Sequence, residues 1–181
     1  MLAALLLPAA AAELRVPDAS GVTHSPLQST GQVATVFFFI THDCPISNAY
    51  GPEINRMVSE YTPKQFAFFV VYVDPELPPA EARKHTQQFG FKCSALLDRE
   101  HKLVKAAQAT ITPEAAVFAP AGKLLYHGRI DDLFADYGKR QEKVTRRDLR
   151  EALEAVLDQR PVPNPVTKAV GCYIPEIKPP K

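Results

Sequence analysis

Two apolar runs, VATVFFFI at 33–40 and FAFFVVYVD at 66–74, constrain the fold most. Both are rich in β-branched and aromatic residues and lack the polar alternation of a half-exposed strand, so each reads as a strand buried on both faces. Between them, Ile46, Tyr50, Ile54, Met57, Val58 and Tyr61 recur at the spacing of one helix face. A strand, a helix and a second buried strand in that order predict parallel pairing through a crossover helix. The pattern then continues. A helix is expected over 78–90, closed by Gly90, then a short strand at 94–98, a helix at 99–109, a hairpin from 114–120 and 123–130, and an amphipathic helix at 145–159. The predicted class is α/β: a mixed central sheet flanked by helices. Residues 13–32 read as loop with a short strand or hairpin, and the mixed-charge run 139–148 as a solvated helix face.

Between the first strand and its helix stands THDCP, 41–45. Pro45 suits the first helical position, where its missing N–H has no partner to lose. Pro52 is expected to kink the helix. Cys44 then sits at the helix N-terminus, facing unpaired amides that favour a thiolate and lower the pKa from about 8.5. The alternative is a buried, inert cysteine. His42 and Asp43 either tune Cys44 or are exposed turn residues. Ser47 stands three residues after Cys44 and can hydrogen-bond its thiolate but cannot form a disulfide.

The other cysteines are Cys93 and Cys172. No C-x-x-C pair exists, which removes the usual zinc knuckle, and no cofactor or metal motif is present. Cys93 reads as core packing. Cys172 lies 128 residues beyond Cys44 (172 − 44), in a tail with six prolines between 161 and 181. That tail is expected to run extended over the surface. Cys172 is either a second redox sulfur or an anchor or free thiol. His127 reads as a surface strand residue, and Asp131 and Asp132 as capping or solvated.

From about Asp18 to about Leu157 these landmarks resemble the thioredoxin-fold redoxins, which include envelope thiol–disulfide reductases and alkyl hydroperoxide reductase/thiol-specific antioxidant proteins. The match rests on the strand–turn–Cys44 arrangement, Pro52 eight residues on, ITPEAAVF at 111–118 and the hairpin AGKLLYHGRIDD. DCPISN together with a late VGCYIP also looks like a redoxin subgroup of exported bacterial proteins. The resemblance implies a three-layer thioredoxin-like sandwich with a cis bond at Pro113, and Cys44 as nucleophile. Ser47 occupies the resolving position of C-x-x-C, so the resemblance puts Cys172 forward as the resolving thiol. Thr41 and Cys44 supply T-x-x-C of the peroxidatic motif P-x-x-x-T-x-x-C, while Phe37 stands at its proline; Arg129 is the nearest arginine but does not match. The implied activity is thiol–disulfide exchange or peroxide reduction, with a protein thiol/disulfide or a hydroperoxide as partner and an external thiol as electron donor. A copper-handling module using Cys44, His42 and Cys172, or a redox-silent domain of the same fold, is the alternative.

Leu2 to Ala12 are small or apolar and end in Ala10-Ala11-Ala12, which reads as a signal-peptide remnant and predicts export to the periplasm or beyond, although no basic segment precedes it. The run is too short to span a bilayer. The division expected is a leader at 1–12, a redoxin domain at 13–160 and a Pro-rich tail at 161–181. A net charge of +1 with no long basic run argues against a nucleic-acid partner.

Overall fold

The computed structural model describes residues 14–28, 31–120 and 122–178, so the leader expected at 1–12 lies outside the described residues. Strand β1 (Val16–Pro17) and β2 (Thr23–His24) form a small antiparallel hairpin. The central sheet contains β3 (Ala34–Ile40), β4 (Phe66–Tyr72), β5 (Ser94–Leu97), β7 (Glu114–Phe118) and β8 (Leu124–Gly128), in the order β5-β4-β3-β7-β8. β3, β4 and β5 are parallel, while β7 pairs antiparallel with both β3 and β8. The expected mixed sheet is therefore present.

All seven residues of β3 are buried because the strand is the sheet's middle member and both its faces are covered. Successive side chains alternate between faces. Val36, Phe38 and Ile40 pack under α1 (Pro45–Ala49), α2 (Gly51–Tyr61), α3 (Pro79–Phe89) and α5 (Asp148–Leu157). Phe37 and Phe39 pack with Leu103, Val104 and Ala107 of α4 (Lys102–Ala107) on the other face. This is the three-layer sandwich implied by the resemblance.

The helix after Cys44 is broken at Tyr50, where α1 gives way to α2 with Pro52 in its first turn. α4 is shorter than the expected 99–109. The Asp98 carboxylate captures the amides of Lys102 and Val104, and left-handed backbone at His101 and Gln108 bounds the helix. The run 139–148 is not a helix face. Strands β9 (Phe134–Asp136) and β10 (Lys139–Arg140) make a hairpin, and the buried Asp132 takes the amides of Thr145 and Arg146, so α5 begins only at Asp148. Asp132 and Asp131 are thus capping groups rather than solvated ones; Asp131 accepts from Leu133 N and from Tyr50 Oη at 2.7 Å. His127 is half-buried rather than on the surface, its Nδ1 3.2 Å from Glu114 Oε1.

The chain after α5 returns along β8. His127 N donates to Pro165 O and Thr167 N to His127 O. The Thr167 hydroxyl lies 2.6 Å from Tyr126 Oη and accepts from Arg129 N. Gly128, at φ +144, lets Thr167 come this close, since a Cβ there would stand 2.2 Å from its Oγ1. The tail then reaches strand β6 (Ile111–Thr112), where β11 (Cys172–Tyr173) pairs antiparallel with it.

Candidate active site

Cys44 is the N-cap of α1, with extended backbone (φ −78, ψ 113) and Pro45 in the first turn. Extended backbone is what an N-cap requires, and it points the side chain back over the open amides of the first turn. Ser47 N lies 3.5 Å from Cys44 Sγ and donates to it. On the opposite side Thr112 O is 3.3 Å from the sulfur and accepts from it when it is a thiol. The Thr112–Pro113 bond is cis, as the resemblance implied. Cys44 itself is only 1% exposed.

Cys172 stands opposite Thr112 in the β6–β11 register, and this register presents its sulfur to Cys44. The two Sγ atoms are 2.7 Å apart, with Cys172 donating to Cys44. Gly171 makes the approach possible, because a Cβ there would lie 2.0 Å from Thr112 O. Thr112 Oγ1 also donates to Cys172 O, and lies 3.5 Å from Thr41 Oγ1. Thr41, Cys44, Ser47, Pro113 and Cys172 are therefore gathered around one pair of sulfurs.

The sulfurs are electrostatically unequal. Burial by itself would push the Cys44 thiol up. The S–H of Cys172, the hydroxyl and amide of Ser47 and the amide of Ile46 outweigh burial and hold Cys44 below the ordinary cysteine value. Ser47 Oγ is buried and has no partner of normal hydrogen-bond geometry, which leaves its proton available to a thiolate. Cys172 is pushed up to about 12, first by burial, then by its hydrogen bond to Cys44 and the charge there, with Asp43 adding to it. Of the two sulfurs, Cys44 is therefore the one that ionises more readily. In the reduced protein the ultraviolet absorbance of thiolate is expected to titrate below the value of about 8.5 typical of free cysteine. Cys172→Ala, which removes an S–H donor, is expected to move that midpoint upward; an unchanged midpoint counts against a lowering by Cys172.

A chain of hydrogen bonds, half-buried at Asn48 and buried at Tyr72, holds the turn before Cys44. Asn48 Nδ2 donates to His42 O, so its Oδ1 accepts from His85 Nε2 at 2.9 Å. His85 Nδ1 then accepts from Tyr72 Oη at 2.8 Å. The neutral tautomer protonated at Nε2 satisfies both ring nitrogens. Burial, aided by His42, lowers the His85 pKa and keeps it neutral. Asn48→Ala removes both Asn48 links and is expected to cost about 1–3 kcal/mol, the cost of unpaired buried groups, as read by chemical denaturation.

His42 does not hydrogen-bond Cys44. Its Nδ1 is buried without a partner, and its Nε2 lies 4.0 Å from Glu81. Asp43 is exposed. Arg129 is held by Asp148 at 2.6 Å. Cys93 is remote from the pair; it lines a separate cleft with Arg83 and Ala95, and burial pushes its thiol up to about 12. Among the described residues no three His, Cys, Asp or Glu side chains converge as metal ligands. Sequence reasoning missed Thr112, whose carbonyl and register position the pair, and the Asn48–His85–Tyr72 chain. A backbone carbonyl has no sequence signal, and polar side chains within helical and strand patterns do not announce their partners.

The model of the AhpC/TSA family matches residues 8–127, a span that contains Cys44 and stops before Cys172. No curated protein matches the chain. Among solved structures, an uncharacterized conserved protein of Geobacillus kaustophilus is 27% identical over 98% of this chain and 96% of its own, with a TM-score of 0.76. A hypothetical protein of Sinorhizobium meliloti is 24% identical over 95% of each chain, with a TM-score of 0.77. A secreted Mycobacterium tuberculosis disulfide oxidoreductase homologous to Escherichia coli DsbE shares the fold at 12% identity, over 81% of this chain and 96% of its own, with a TM-score of 0.55.

Proposed function

Because the chain belongs to the AhpC/TSA family, we propose that it is a thiol-dependent oxidoreductase whose turnover passes through a Cys44–Cys172 disulfide. The observation that carries this reading is the 2.7 Å approach of the two sulfurs. The Cys44 thiolate attacks one sulfur of a substrate disulfide, forming a mixed disulfide and expelling the other sulfur as a thiolate. Cys172 then attacks Cys44 Sγ, and the second substrate sulfur leaves. The substrate is reduced by two electrons and the cysteine pair is oxidised.

The two steps are coupled through charge. While Cys44 is a thiolate, its hydrogen bond and charge help hold the proton on Cys172. Once Cys44 is consumed, both influences vanish and Cys172 ionises more readily, when its attack is needed. The substrate's sulfur must take the place that Cys172 Sγ holds, so Gly171–Tyr173 withdraws to admit it and closes again to resolve.

Disulfide exchange is favoured over peroxide reduction by two features. Arg129 is committed to Asp148, and the Thr41 hydroxyl faces Thr112 rather than the sulfur. We propose, from the apolar segment 2–12 of the sequence, that the chain is exported to an oxidising compartment, where a disulfide cycle has substrates. A paired assay tests this on the full chain, following reduction of a protein disulfide and consumption of hydrogen peroxide with an external thiol present. Disulfide reduction well above peroxide consumption, lost in Cys44→Ser, is expected. The converse ranking makes the protein a peroxidase, and no dependence on Cys44 removes the enzyme reading.

A further inference from the structure

One buried carboxylate takes no part in the chemistry set out above. Glu114 is 4% exposed and opens β7, directly after Pro113. Its Oε2 accepts from Thr110 N at 3.0 Å and from Ile111 N at 3.2 Å, and its Oε1 lies 3.2 Å from His127 Nδ1. Each of these partners also holds the tail. Thr110 O accepts from Ile174 N, and Ile111 pairs with Tyr173 across β6–β11. His127 is bridged to Val166, its N donating to Pro165 O and its O accepting from Thr167 N. The tail therefore has one anchor before Cys172 and one around it, with Lys168–Gly171 between them. A single carboxylate touches the supports of both.

The β6–β11 pair is two residues long and stands outside the main sheet. So short a ladder is marginal by itself, and its place over Cys44 has to be set by other bonds. A buried amide left without an acceptor is costly, which ties Thr110 and Ile111 to the Glu114 oxygen and fixes where β6 runs. We propose that Glu114 is a positioning residue for the disulfide step: by tying the Thr110 and Ile111 amides to the His127 ring, it holds the two anchors of the tail in register, so that β11 brings Cys172 to Cys44. The inference rests on the Cys44–Cys172 disulfide proposed above, and it adds a group that touches neither sulfur. Its hydrogen bonds, rather than its charge, carry the role. Glu114→Gln can make both links, with the side-chain carbonyl accepting from the two amides and the NH₂ donating to Nδ1 of a neutral imidazole. Glu114→Ala makes neither.

The test equilibrates the full chain with reduced and oxidised glutathione and reads the fraction of Cys44–Cys172 disulfide by mass after acid quenching and alkylation. Two glutathione thiols become one glutathione disulfide for each protein disulfide reduced, so the equilibrium constant for forming the protein disulfide measures how well Cys172 is presented to Cys44. Glu114→Ala is expected to lower that constant at least about tenfold, the scale of leaving buried amides unpaired. Glu114→Gln is expected to stay within roughly threefold of wild type, because it keeps the same hydrogen bonds. A folded Glu114→Ala with an unchanged constant overturns the proposal. So does Glu114→Gln falling as far as Glu114→Ala, since the charge would then be the operative feature. Far-ultraviolet circular dichroism establishes folding. Should Glu114→Ala not fold, His127→Ala decides, because it removes one link and leaves both amides paired: a fall of roughly threefold or more supports the tie through the ring, and no fall overturns it. A wild-type chain that never forms the crosslink removes the disulfide reading instead.

Discussion

Replacing Cys44 with Ser is expected to bring disulfide reduction to background, and replacing Cys172 with Ser is expected to do something different. The first change removes the sulfur that attacks. The second leaves the attack in place and removes the sulfur that resolves, so one equivalent of substrate reacts and turnover then stalls at a mixed disulfide on Cys44. The expected loss is large because the resolving thiol is held in contact range. Well-oriented intramolecular groups act with effective molarities of about 10⁵–10⁸ M, which a dissolved thiol does not approach. Steady-state rates of Cys172→Ser are therefore expected to fall at least about a hundredfold, while single-turnover labelling of Cys44 persists. Stopped-flow substrate consumption with intact-mass analysis of the trapped adduct checks both halves. Normal multiple turnover by Cys172→Ser would remove the second cysteine from the cycle.

Gly171→Val separates the position of Cys172 from its chemistry. Both thiols remain, but a Cβ at 171 would lie 2.0 Å from Thr112 O and 2.7 Å from Thr112 C. These are backbone atoms of the cis-proline loop and cannot swing aside as a side chain does, so β11 must lift from β6. Overpacking of this kind costs about 1–3 kcal/mol, which is a loss of roughly 5- to 150-fold in the closed population. Crosslinking of Cys44 to Cys172 under mild oxidation is expected to slow by that factor. Alkylation of Cys44 is expected to quicken, because the strand that covers it has moved. Thermal stability is expected to fall by at most that same amount, about 1–3 kcal/mol, since Gly171 lies in the half-buried tail, outside the main sheet. Unchanged crosslinking would mean that the β6–β11 pairing does not control the meeting of the two sulfurs.

These expectations draw on a site that was unevenly legible in sequence. The buried runs at 33–40 and 66–74, the helix pattern between them and the hairpin after Pro113 are local signals, because strand and helix periodicities are written in neighbouring residues. The mixed-charge run 139–148 misled for the same reason. Its pattern suits a helix, but the Asp132 carboxylate, distant in sequence, claims the amides of Thr145 and Arg146. His127 misled likewise, since the carboxylate that draws it inward belongs to the neighbouring strand. A competition decided by a distant hydrogen-bond acceptor leaves no trace in local pattern.

The sequence alone determined that Cys44 follows a buried strand and opens a helix, that Ser47 cannot serve as its disulfide partner, and that a third cysteine waits in a Pro-rich tail. Whether that tail brings Cys172 to Cys44 was left open, because an extended chain segment carries no record of where it lands. The tertiary structure decided it. Thr167 is gripped where Gly128 leaves room, Gly171 passes Thr112 without a Cβ, and two residues of antiparallel pairing set the register that aims Cys172 at Cys44. The physical reason is that main-chain hydrogen bonds and steric gaps, rather than side-chain patterns, steer the tail across 128 residues of sequence to a single sulfur.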